Sequence, residues 1–302
     1  MLGSAPARTM SAPRPGPGVR LENAAKRVGA AVSAACGALL MLAAGCVTAP
    51  DRTDAIAGRL GMETVRVAGA GFDHRAFMDA DARSASVVHV YLEGDGLPWA
   101  TRHRVSSDPT PRHPLGLYLA ARDPAPGLLF GRPCYYGDAG LAPCRPWLWT
   151  SGRYSQTVVL SMVAALTRLL PPGEDVRITL VGYSGGGVLA MLMAEHLPRD
   201  RRVLTLAANL DIDAWADVHG YTRLAGSLNR AQRGPLPSRV RRTHLAGALD
   251  ERVPAQLIRA AARDPGAVVR VLPGFDHRCC WVEQWPRILR RAETEDVPGA
   301  RR

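Results

Sequence analysis

Apolar and polar positions change period sharply along the second half of the chain. Residues 177 to 181 (Arg177-Ile178-Thr179-Leu180-Val181) form a short β-branched, apolar run. A glycine-rich turn, Gly182-Tyr183-Ser184-Gly185-Gly186-Gly187, interrupts it, and the apolar stretch Val188 to Ala194 follows. Such a pattern predicts a buried strand, a tight turn and a helix. The same alternation continues downstream. Arg202 to Leu206, Arg239 to Gly247 and Ala267 to Leu272 read as strands, and Trp281 to Arg291 reads as a helix. Upstream, strand-like pieces occur near Glu63 to Val67, Ala85 to Leu92 and Leu128 to Arg132. Helices are expected at Leu115 to Arg122 and at Tyr154 to Leu170, the latter ended by Pro171-Pro172-Gly173. A Pro/Arg-rich loop spans Pro98 to Pro114, and Pro133 to Trp149 reads as an insertion over one face. Strands alternating with helices call for an α/β domain with a mostly parallel sheet.

The turn at Ser184 carries the first candidate chemistry. A serine at the apex of a strand-to-helix turn takes strained backbone angles, and small neighbours leave room for the crossing chain. Its hydroxyl is then exposed beside a helix N-terminus that favours negative charge. A serine hydroxyl is a poor nucleophile until a base takes its proton. His277 lies on the loop Pro273-Gly274-Phe275-Asp276-His277 after the last predicted strand, where a base can reach it. Asp250 ends the strand before that one and precedes a helix that Pro254 can open, so it can orient the imidazole. The tetrahedral oxyanion needs donors. These are expected from the main-chain N–H of Gly185 and from Asp95 or Gly96, in the loop Glu93-Gly94-Asp95-Gly96 that follows a strand.

These residues together resemble the α/β-hydrolases, and in particular a group of bacterial lipoprotein hydrolases. The resemblance rests on Tyr91 to Gly96, Arg132 to Tyr136, Leu148 to Thr150, Gly182 to Gly187, Asn209 to Asp211 and Gly274 to His277. It covers roughly residues 66 to 290. It implies an α/β-hydrolase fold and a triad of nucleophile Ser184, acid Asp250 and base His277, while Thr222 to Pro237 reads as a short cap element. One departure stands out: Glu93-Gly94 occupies the oxyanion loop where many hydrolases carry His-Gly.

Several residues compete for these roles. Asp211 and Asp213 also follow a strand, and some hydrolases draw their acid from that earlier position; pairing with backbone is the alternative for Asp211. His74 sits in Gly71-Phe72-Asp73-His74-Arg75, an echo of Gly274 to Arg278, and reads as a surface or strand residue. His103 and His113 read as solvated, and His196 as facing a helix end. Glu93 and Asp95 could form a carboxylate pair or a metal site, but sequence does not set the separation such a pair needs; Cys279-Cys280 near His277 could suggest a metal too, but without zinc-site spacing. No metal or cofactor is expected. Phe275, Trp281, Tyr183, Trp147, Trp149 and Trp215 either line an apolar cleft or pack the core.

The N-terminus speaks to location. Residues 1 to 45 read as a lipoprotein-type signal peptide: a basic flank ending in Lys26-Arg27, an apolar stretch from Val28 to Gly45, then Cys46. Leu42-Ala43-Ala44-Gly45-Cys46 resembles a lipobox, with Cys46 the lipidated first residue. A retained membrane span is the alternative. Residues 46 to 62 are expected as a linker and 63 to 302 as the catalytic domain. The protein is thus expected in the cell envelope, lipid-anchored to a bacterial membrane and facing the periplasm or exterior. Export makes disulfides admissible. Cys134 to Cys144 closes a short loop, contributing up to about 3 kcal/mol on a chain-entropy estimate. The adjacent Cys279 and Cys280 are left free, bridged to each other or linked outward.

Charge changes little in this picture. The chain carries +11, with Lys26 as its single lysine. Its arginine clusters flank strands without any nucleic-acid motif, so no nucleic-acid partner is expected. The expected function is a serine hydrolase working through an acyl-enzyme, most simply on a small-molecule carboxylic ester or other acyl substrate. Two other readings use the same fold: a catalytically silent lipoprotein binding a ligand or envelope partner, and a cofactor-free haloperoxidase-like activity.

Overall fold

A computed structural model describes residues 49–170, 176–197 and 201–294. The signal peptide, Cys36 and the lipidation candidate Cys46 lie outside these residues. Ten strands and seven helices are named here: α1 (Ala49–Arg59), β1 (Glu63–Ala68), β2 (Asp73–Met78), β3 (Val87–Leu92), β4 (Trp99–Thr101), β5 (Arg104–Val105), α2 (Leu115–Ala120), β6 (Gly127–Phe130), α3 (Gln156–Leu169), β7 (Arg177–Tyr183), α4 (Gly185–Ala194), β8 (Arg201–Leu206), α5 (Ile212–His219), β9 (Arg241–Gly247), α6 (Ala255–Ala261), β10 (Val268–Leu272) and α7 (Trp281–Thr294).

Eight strands form one sheet in the order β1-β2-β6-β3-β7-β8-β9-β10. From β6 to β10 every neighbouring pair is parallel. Within this sheet only β2 runs against the others, pairing antiparallel with β1 and β6 near one edge. The central strands are covered on both faces, which is why β7 and β8 read as near-continuous apolar runs. α4 is buried along its whole length. α3 starts where the Ser155 hydroxyl accepts the Val158 N–H, and it stops before Pro171-Pro172. α7 buries Trp281, Trp285, Leu289 and Ala292 on one face. The Trp285 indole donates to the Tyr91 hydroxyl at 2.7 Å, and that hydroxyl donates to Asp123, so α7 is tied to β3 through polar atoms as well as packing.

Two expectations change. The segment expected as a linker holds α1, whose Thr53, Ile56 and Ala57 are buried. The Pro/Arg-rich loop contains the small β4–β5 hairpin. His74, read as a surface or strand residue, lies on strand β2 and is fully buried there, packed against Phe130 and Ser161. The insertion after β6 is closed by the Cys134–Cys144 disulfide.

Candidate active site

Parallel strands deliver their C-terminal ends to one edge of the sheet, and the loops there carry the candidate groups. Ser184 follows β7 with φ 51° and ψ −124°, a left-handed conformation that costs a non-glycine residue about 1–3 kcal/mol. Its N–H donates to the Leu206 carbonyl at 2.8 Å, pinning the turn to β8. The next turn of chain crosses β3 closely. A methyl group on Gly186 would sit 2.1 Å from the Leu92 oxygen, and one on Gly185 would sit 2.0 Å from Asp95 Oδ1. Glycine at both positions is therefore a packing requirement.

Asp250 follows β9 with its carboxylate fully buried. Its Oδ1 accepts the N–H groups of Arg252 and Val253, each at 2.9 Å. Its Oδ2 lies 2.9 Å from His277 Nδ1, on the loop after β10. A carboxylate accepts only, so Nδ1 donates, which leaves Nε2 with its lone pair free. The Tyr183 hydroxyl donates to the His277 carbonyl at 3.0 Å, and the two rings are 5.2 Å apart. The neighbour of Ser184 thus holds the imidazole loop against the serine turn. Among the described residues Ser184 Oγ makes no hydrogen bond to the imidazole; such bonds often tighten only with substrate in place. The Arg252 carbonyl accepts from Trp215 Nε1 and His219 Nε2, each at 2.8 Å, which fastens α5 to the Asp250 turn.

The loop after β3 places two acidic side chains in opposite electrostatic settings. Glu93 is buried and accepts the Gly94 N–H at 3.0 Å and the Gly116 N–H at 2.8 Å. Burial pushes its carboxyl up to about 7, because the two amides and Arg132 offset only part of the desolvation. Asp95, two residues on, is also desolvated, but Arg153 at 2.7 Å and Arg132 at 2.9 Å outweigh that and hold it below the ordinary carboxylate range. The Tyr154 hydroxyl lies 2.7 Å from both carboxylate oxygens. Tyr135 donates to the Asp95 carbonyl at 2.9 Å, which brings the insertion onto this loop. Gly96 takes φ 67°, and the N–H groups of Gly185, Asp95 and Gly96 donate to no protein group among the described residues.

The other candidates fall elsewhere. Asp211 caps α5, accepting the N–H groups of Asp213 and Ala214 and the Asn229 side chain. Asp213 accepts from Asn229 and Gln232. Neither is paired with His277. Phe275, Trp281 and Trp149 are core residues, while Tyr183, Trp147 and Trp215 are half-buried. His103, His113 and His196 are exposed. Glu93 and Asp95 bind amides and arginines separately, and among the described residues no group of three or more His, Cys, Asp or Glu is arranged to hold a metal ion. Cys279 and Cys280 are bridged to each other. Sequence reasoning missed Arg153, Tyr154 and the Tyr183 hydroxyl. The one available signal was the polar pair Arg153-Tyr154 at the mouth of an otherwise apolar helix.

No protein-family model matches the chain, and no curated protein matches it. Solved structures do. A candidate hydrolase from Agrobacterium vitis S4 superposes with a TM-score of 0.52 at 16% identity, over 76% of this chain and 98% of that one. An esterase of Pyrococcus furiosus gives 0.51 at 13% identity, over 79% and 93%. A puromycin hydrolase gives 0.50 at 18% identity, over 77% of this chain and 38% of the other. At these identities the likeness is one of fold. This chain has the α/β-hydrolase fold, a mostly parallel central sheet flanked by helices.

Proposed function

We propose that the protein is a serine hydrolase that cleaves carboxylic esters through an acyl-enzyme. The observation that carries this reading is the Asp250–His277 hydrogen bond, made on the loops after β9 and β10 beside the strained turn after β7. His277 Nε2 takes the proton of Ser184 as Oγ attacks the ester carbonyl, then gives it to the leaving alcohol. Asp250 fixes the tautomer and stabilises the imidazolium. The Gly185 N–H and that of Asp95 or Gly96 receive the oxyanion, each donor contributing about 3 kcal/mol to the transition state. Water then enters by the same route and releases the acid. A carboxylate beside Gly185 would oppose oxyanion formation. Arg132 and Arg153 cancel the Asp95 charge, so the α4 N-terminus still presents a favourable potential.

In the same proposal Cys46 carries lipid and tethers the enzyme to a bacterial envelope membrane. The substrate is a small-molecule ester or acyl compound. Purified protein should be labelled by a fluorophosphonate and turn over short-chain esters, and Ser184→Ala should do neither. A wild type that is unlabelled and inactive overturns the enzyme reading in favour of a ligand-binding protein. Incorporation of a palmitate analogue that persists in Cys46→Ala overturns the anchor.

A further inference from the structure

Two disulfides occur among the described residues, and they differ in kind. Cys134–Cys144 joins residues ten apart, and Cys134 is buried. Cys279–Cys280 joins neighbours, with Cys279 exposed and Cys280 half-buried. A bridge between neighbours removes the least freedom from an unfolded chain, so it is a poor global staple. Its effect is local: it locks one peptide into a small ring.

That ring lies in the turn that carries His277. Asp276 Oδ1 accepts the N–H groups of Arg278 at 2.7 Å and Cys279 at 2.6 Å. The Asp276 carbonyl accepts from the Trp281 indole at 3.1 Å, and the Cys280 carbonyl accepts the Gln284 N–H at 3.2 Å. Phe275 and Trp281 pack edge to face at 4.9 Å. Residues 275 to 281 are therefore one hydrogen-bonded unit with His277 inside it and the disulfide at its outer end.

Resting on the serine hydrolase reading, we propose that Cys279–Cys280 is a thiol–disulfide exchange site whose redox state sets the activity of His277. The reactant is a dithiol reductant. Its thiolate attacks the exposed sulfur of Cys279, the S–S bond breaks, and Cys280 leaves as a thiolate. The second thiol of the reductant then displaces Cys279, leaving two thiols here and a disulfide on the reductant. Two electrons pass to this chain and two protons complete the thiols. Cys280 immediately precedes α7, whose N-terminal amides favour a thiolate there and make the reduced pair accessible. Opening the ring frees the peptide between the cysteines and loosens the Asp276 turn. His277 then loses its fixed approach to Ser184, and kcat falls while KM is held.

The test is the rate of fluorophosphonate labelling of the full chain across a dithiol titration, with alkylation and mass spectrometry reading which pair has opened. The expected result is that Cys279–Cys280 opens before Cys134–Cys144, that labelling and ester turnover slow about tenfold as it opens, and that reoxidation restores both. Cys279→Ser/Cys280→Ser should sit at the slow rate and ignore the reductant, with its melting temperature near wild type. Equal rates with the pair fully alkylated, or a double variant as fast as oxidised wild type, overturn the switch and leave the hydrolase reading intact. Oxidised wild type that takes no label overturns the hydrolase reading and the switch with it.

Discussion

The five residues Gly-Phe-Asp-His-Arg occur twice, at Gly71–Arg75 and at Gly274–Arg278, and the two copies do opposite things. On β2 the His74 Nδ1–H donates to the Gly131 carbonyl at 3.0 Å, and Nε2 accepts the Ser161 hydroxyl at 2.8 Å. The ring stacks on Phe130 and is fully buried. Burial drives its pKa down to about 4, since the carbonyl bond and the charges of Asp73 and Asp138 do not repay the lost hydration of a cation. After β10 the second histidine meets the Asp250 carboxylate and keeps part of its ring open to solvent. His74 meets Ser161 directly, while His277 is tied to the Ser184 turn through the Tyr183 hydroxyl. What separates them is the strand that carries each, β2 near one edge of the sheet against the loop after β10 at the other, and the presence of a carboxylate able to stabilise an imidazolium. A local motif sets neither.

The contrast can be broken at four points, in falling order of effect. Ser184→Ala should lower ester kcat by about a millionfold. Ser161→Ala should leave kcat within about twofold and cost about 1–3 kcal/mol of stability by stranding His74 Nε2; comparable losses of activity in both would erase the distinction. Asp250→Asn should reduce kcat by about ten-thousandfold through the wrong tautomer. Asp73→Asn, whose ion pair with Arg66 spans 3.7 Å at the surface, should be silent in kinetics and shift stability by less than about 1 kcal/mol.

The third point is acid stability. His74 titrates near 4 when folded and near its ordinary 6.5 when unfolded. Between those values the unfolded state binds more protons, so stability falls as pH drops from about 6.5 to about 4, by up to about 3 kcal/mol. Denaturant midpoints should show this limb shrinking in His74→Phe, with the part due to buried His244 remaining. An unchanged limb would refute the assignment. The fourth point is of opposite sign. Glu93 keeps its proton to about 7 when folded, so stability falls as pH rises from about 4.5 to about 7. Glu93→Gln should flatten that slope while costing about 1–2 kcal/mol, because its amide can accept only one of the two N–H groups. Thermal melts across that range would reveal it.

Ser184, Asp250 and His277 were legible because each stands where an apolar strand gives way to glycine, proline or aspartate. β2 was not. The polar run Asp73-His74-Arg75 shows no strand alternation of its own, and it becomes strand with Arg75 held by Asp54 at 2.8 Å and by the Tyr136 carbonyl while Ala76 to Met78 are enclosed. α1 was hidden by its many polar residues, with Thr53, Ile56 and Ala57 supplying the buried contacts. The cage around Asp95 is drawn from Arg132, Arg153 and Tyr154, far along the chain from their partner. No periodicity encodes a meeting of that kind. Asp95 itself was expected for its main chain, and its side chain turned out to be the better anchored part.

The Arg252 peptide is gripped from both sides, its N–H by Asp250 and its carbonyl by Trp215 and His219. Helix α5 cannot swing outward without either tearing two hydrogen bonds or dragging that peptide along. Tyr221 extends the same aromatic stack to the surface, where it is 56% exposed. A bulky group wedged against this stack would therefore pull on the turn that holds the buried Asp250 carboxylate.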